Sequence, residues 1–106
     1  AVLSFANLEQ ADLSSAKLSE ANLTGAILKG SILLDADLKK ADLRGAFLTG
    51  AILRGVELDG ANLASADLRG ALGITAVQVC SALHGRAALM DPDLAAEVLQ
   101  RCASSQ

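Results

Sequence analysis

The sequence predicts a solenoid, a rod of stacked coils in which each short unit buries its apolar side only against its neighbours. Three observations predict it. A leucine stands at every fifth place from Leu3 to Leu68. An alanine stands two places before it in every unit except those opening with Ser31 and Val56. Glycine closes many of the same units. Fixed-period self-similarity of this kind marks repeat architectures.

From residue 1 the chain reads AVLSF, ANLEQ, ADLSS, AKLSE, ANLTG, AILKG, SILLD, ADLKK, ADLRG, AFLTG, AILRG, VELDG, ANLAS, ADLRG, fourteen units without a break. A helix repeats near 3.6 residues and a strand at 2, so neither keeps every fifth side chain on one side. A coil that turns a corner after each unit does, and five is therefore a corner period. Gly25, Gly30, Gly45, Gly50, Gly55, Gly60 and Gly70 end seven units, where a type II turn needs positive φ and glycine adopts it without a Cβ clash. Units ending in other residues are expected to use a different turn.

The tandem A(D/N)LXX units resemble the pentapeptide repeat proteins over residues 1–70. The resemblance implies an all-β solenoid, a right-handed quadrilateral parallel β-helix with four pentapeptides per 20-residue coil. The central Leu and the Ala two places earlier would point inward and the other three places outward. At about 4.8 Å per coil, the 70 residues would make a rod of about three and a half coils.

After ADLRG the pattern fails, because ALGIT puts Gly73 where Leu is due. Thr75 is placed to cap a helix running through AVQVCSALH and ended by Gly85. Asp91 reads as an N-cap, with Pro92 at the first helical position and Asp93 near the positive helix terminus, opening a second helix through LAAEVLQRC. Residues 71–106 are thus expected to form a two-helix α-helical cap over the last coil, hiding its open ladder. Ile74, Val77, Leu83, Leu89, Met90, Leu94, Val98 and Leu99 would supply its apolar side. Nothing comparable precedes Ala1, so the first coil is expected to be covered by upstream residues or by another molecule.

Cys80 and Cys102 fall one in each expected helix. Their number permits one bridge, worth about 3 kcal/mol for a loop of about 20 residues in the chain-entropy picture; the other reading is two buried free thiols. A bridge would favour an oxidising compartment, and the resemblance supplies the thylakoid lumen or a bacterial periplasm as instances. Unbridged cysteines would suit the cytoplasm.

The remaining chemistry is sparse. His84 is the sole histidine and is expected at the negative end of the first helix. Without a second histidine, Tyr or Trp, no combination of acid, base and nucleophile assembles, so the reading is a non-enzymatic protein. Asp12, Asp37, Asp42, Glu57 and Asp67 precede leucines, as do Asn7, Asn22 and Asn62. Short polar side chains beside a corner bond local backbone, and no calcium or zinc spacing is present. Neither metal nor cofactor is therefore expected, nor a small-molecule substrate. The net charge is −3 with scattered cations, which gives nucleic acid and anionic lipid no footprint. No apolar run approaches the roughly 20 residues of a membrane span.

A 20-residue coil places residues 20 apart in one outward column. Ile27 and Phe47 then share one face and Ile32 and Ile52 the next, with Leu34 nearby. Adjoining outward apolar residues mark a contact surface, and the expected function is a structural scaffold that binds a protein partner or itself. Some proteins of the resembled family mimic DNA and regulate topoisomerases, but as long acidic dimeric rods; the short, mixed-charge rod read here makes that the alternative.

Overall fold

The structure, a computed structural model, describes residues 2–102. Ala1 and residues 103–106, at the ends of the two expected segments, lie outside the described residues. Parallel bridges join residues 20 apart and define four columns: Val2, Asn22, Asp42 and Asn62 on the first face; Asn7, Ile27, Phe47 and Asp67 on the second; Asp12, Ile32, Ile52 and Leu72 on the third; Lys17, Asp37 and Glu57 on the fourth. Each coil therefore spends one pentapeptide on each of four sides.

The third-place leucines face the axis, and from Leu23 to Leu68 each is at most 2 % exposed. First-place alanines such as Ala21, Ala36, Ala51 and Ala66 fill the space between them and are equally closed off. Leu3, Leu8, Leu13 and Leu18 are only partly buried, since they have a coil on one side. Between coils, the third-place N–H donates to the second-place carbonyl of the following coil, as from Leu28 to Phe47, and the second-place N–H donates back, as from Phe47 to Ala26. The backbone thus satisfies itself along the rod rather than within a strand.

All fourteen corners close alike. The first-place N–H of each unit donates to the third-place carbonyl of the unit before, from Ala6 to Leu3 through to Ala71 to Leu68. The fifth place is the second central residue of that turn, and its φ is positive whether the residue is Gly or not: Phe5, Gln10, Ser15, Glu20, Asp35, Lys40 and Ser65 lie between 57° and 64°. The expectation of a second turn type is overturned. Closing the coil fixes the corner, and a non-glycine there accepts a left-handed conformation that costs on the order of 1 kcal/mol.

Bridges of the same register continue beyond residue 70. Leu72 pairs with Ile52, Leu83 with Asn62 and Leu89 with Asp67. On the fourth face, helix α1 (Ala76–Ser81) stands where a strand would follow Glu57. Thr75 caps it as the sequence predicts, and Gln78 completes a capping box, with the Gln78 N–H on Thr75 Oγ1 at 3.3 Å and the Thr75 N–H on Gln78 Oε1 at 2.7 Å. α1 ends at Ser81 instead of running to His84, because Leu83 rejoins the ladder. His84 consequently leaves the helix and takes φ 57°, ahead of a 3₁₀ turn at Gly85–Ala87. Helix α2 (Pro92–Arg101) follows with Pro92 at its start.

Two side chains replace backbone at the end of the ladder. Gln78 Nε2 donates to the Val56 carbonyl at 2.9 Å, the bond a fourth-face strand N–H would make. Asp91 does not cap α2 with its side chain; its Oδ2 instead accepts from the Gly70 N–H at 2.9 Å. The inward residues of the last turn are Ala76, Val79, Ala82 and Ala88, joined by Val98 and Cys102 from α2 and its end. Val77, Leu83, Leu89 and Leu99, expected inside, are each at least half exposed; Leu83 and Leu89 bridge the coil below, as outward second-place residues do. Cys80 and Cys102 are paired at disulfide-bonding distance, with Cα atoms 5.4 Å apart.

Candidate interaction face

With the axis filled by leucine and alanine, chemistry is confined to the outside. The second-place Asn and Asp residues serve the corners, whereas Glu57, expected to do the same, reaches Lys39 across coils instead. Oδ1 of Asn7, Asp12, Asn22, Asp37, Asp42, Asn62 and Asp67 each accepts from the backbone N–H two residues on, at 3.0 to 3.2 Å. These carboxylates are thereby engaged locally, and among the described residues no three His, Cys, Asp or Glu side chains gather as a metal site.

Two of the acids also hold an arginine. Arg44 lies 2.7 Å from Asp42 and Arg69 2.8 Å from Asp67, and the guanidinium hydrogen bonds keep both carboxyls below the usual carboxylate range. Asp12 is lowered by the hydroxyl and N–H of Ser14. The fourth face is a solvated mixture, with Lys39 paired to Glu57 at 3.5 Å across coils.

The second and third faces differ. Ile27 is bridged to Phe47, and Ile32 to Ile52, so the two pairs stand one coil apart on adjacent sides of one corner. Phe47 is 49 % exposed, while Ile27, Ile32, Leu34 and Ile52 are half-buried by their column neighbours. Sequence reasoning missed Leu72. It continues the third-face column, bridges Ile52 and is 59 % exposed, making a ladder of three aliphatic side chains. The signal was the Leu one place after Ala71, in the second place of a unit whose third place is Gly73. At the far end, Arg86, Leu89, Met90, Ala95, Val98 and Leu99 line an open apolar depression beside α2. No helix of the described residues is long and apolar enough to cross a membrane.

A family model for pentapeptide repeats matches residues 1–35 and 31–70. The chain belongs to the pentapeptide repeat family. Among solved structures, a pentapeptide repeat protein from the thylakoid lumen of Arabidopsis thaliana is 38% identical, with a TM-score of 0.65, over 66% of this chain and 48% of that one. The cyanobacterial pentapeptide repeat protein Rfr23 from Cyanothece 51142 is 33% identical with a TM-score of 0.46, over 87% of this chain and 51% of its own. A third, from Nostoc Pcc 7120, is 33% identical with a TM-score of 0.39, covering 86% and 81%. The chain thus spans about half the length of the first two. No curated protein matches significantly. Membership supports a non-catalytic repeat scaffold, and the solenoid is the fold of this pentapeptide repeat chain.

Proposed function

We propose that this pentapeptide repeat protein is a non-catalytic scaffold that presents its second and third faces, through Ile27, Ile32, Leu34, Phe47 and Ile52, to a protein surface. The observation that carries the reading is the adjoining pair of apolar columns, extended by Leu72, on a rod whose other outward places are largely polar. A partner covering them would remove apolar area from water at about 25 cal/mol per Å², while the leucine-filled axis offers no pocket for a substrate.

The architecture that supports this role is a right-handed quadrilateral β-helix, with the described residues beyond 70 serving as a cap whose helices close the last coil. Gln78 and Asp91 suit that purpose by occupying backbone groups of the coil below, and the Cys80 and Cys102 pairing ties α1 to the end of α2. Paired cysteines suit an oxidising compartment, and the Arabidopsis thaliana relative comes from the thylakoid lumen; that lumen, or a bacterial periplasm, is the proposed location.

The test compares the chain with its Phe47→Lys and Ile52→Lys variants by cross-linking in native extract and by sizing. Both second places tolerate lysine elsewhere in the rod, at Lys17. Loss of a specific cross-linked partner or of self-association, with folding intact by circular dichroism, supports the reading. Unchanged behaviour in both variants rejects it.

A further inference from the structure

We infer that the occupant of the third face is a second copy of this chain, set antiparallel about a twofold axis lying midway between the Ile32 and Ile52 rungs. The inference rests on the contact-face reading above and adds the identity of the partner. Its basis is charge. At the corner following the face, Asp35 and Arg54 stand one coil apart, and among the described residues neither has an ion-pair partner. At the corner preceding it, Glu9 and Arg69 occupy the first and fourth rows of the described face.

A face can meet its own copy in few symmetric ways, and an isologous contact must be self-complementary. With the rods parallel, Asp35 meets Lys29, but Asp12 is laid on Asp12. With the rods antiparallel and centred on a rung, Arg54 meets Arg54 or Asp35 meets Asp35. Of the settings that overlap at least three of the four rungs, only the antiparallel one midway between Ile32 and Ile52 opposes no like charges. It places Ile32 on Ile52, Asp35 on Arg54 and Glu9 on Arg69, each twice. Its cost falls at the rim, where Leu72 meets Asp12 of the other copy, a carboxylate already held by Ser14.

The whole molecule is about 22 Å across and four rungs at about 4.8 Å make the face about 19 Å tall, so the contact is at most on the order of 400 Å² per copy. Stable complexes bury about 800 Å² per partner, so the dimer is weak and concentration-dependent.

Sedimentation equilibrium from about 20 μM to about 1 mM, the range suited to so small a contact, tests this on the intact chain. Asp35→Lys and Arg54→Asp are suitable variants, since Lys40 occupies a fifth place and Asp59 a fourth place in the same rod. Each variant alone opposes like charges twice and should raise the dimer dissociation constant about tenfold. Mixing the two equimolar creates heterodimers in which the introduced lysine of one chain faces the introduced aspartate of the other, while the remaining Arg54 and Asp35 still face each other, so association should recover well above that of either variant alone. A monomeric wild type, an Arg54→Asp variant that associates normally, or a mixture no better than its components overturns the inference. If the wild type is monomeric while Ile52→Lys still strips a different cross-linked protein, the contact face stands and the second copy falls.

Discussion

Ser31 takes the first place of its unit, where almost every other unit has alanine, and its side chain is fully buried. Its hydroxyl has no hydrogen-bond partner among the described residues. Burying an unpaired hydroxyl costs about 1 to 3 kcal/mol, and serine and alanine fill nearly the same volume, so Ser31→Ala removes the polar atom and leaves little space. We predict a gain of about 1 to 2 kcal/mol, equivalent to about 5 to 10 °C in Tm for a domain of this size. The converse substitution, Ala51→Ser, sits one coil further along the same buried column and should lose a similar amount. Chemical denaturation gives both numbers, with the midpoint moving and the slope constant. If Ser31→Ala is neutral or destabilising, the hydroxyl has a partner in solution and the reading of a dry axis is wrong at that corner.

Gly73 has φ 80°, and a Cβ there would stand 2.8 Å from Arg54 Cβ and 3.0 Å from its Cα and N, whereas a Cβ at Gly45 meets nothing within 4 Å. Gly45→Ala should therefore cost only the conformational strain, about 1 kcal/mol, and Gly73→Ala clearly more; equal losses would refute the close approach. The depressed Asp67 carboxyl contributes stability that is present above its unfolded value of about 3.9 and is lost as pH falls through its lower folded value. Asp67→Asn, which keeps the corner hydrogen bond as Asn62 does, should flatten the acid limb of the stability profile below about pH 4. Gln78→Glu retains the acceptor used by Thr75 but sets a carboxylate against the Val56 carbonyl, and should cost about 1 to 3 kcal/mol in denaturant melts.

The period of five made the inward Leu and Ala legible at once, because only a coil with regular corners places them together. The local corner bonds of the Asx residues were legible for the same reason. The shared geometry of all corners was not: propensity argues that Phe5, Lys40 and Ser65 avoid positive φ, but the hydrogen bonds of the neighbouring coils fix the backbone regardless. The path after residue 70 was hidden by its spacing. Leu72, Leu83 and Leu89 are 11 and 6 residues apart, so no fixed period links them, yet each bridges the coil below. Helix signals at Thr75 and Pro92 were read correctly, while Leu83 and Asp91 answered to the ladder rather than to their helices.

Amide hydrogen exchange tests the coil itself. Third-place N–H groups of Leu28, Leu33, Leu48 and Leu53 donate to the next coil, whereas the fourth-place N–H groups of Lys29, Leu34, Thr49 and Arg54 have neither a ladder bond nor an Asx acceptor two residues before them. Each of these four should exchange faster than the leucine beside it by about two orders of magnitude or more, giving a protection pattern that repeats every five residues. Uniform protection across these pairs, or a pattern repeating at 2 or 3.6 residues, would contradict it.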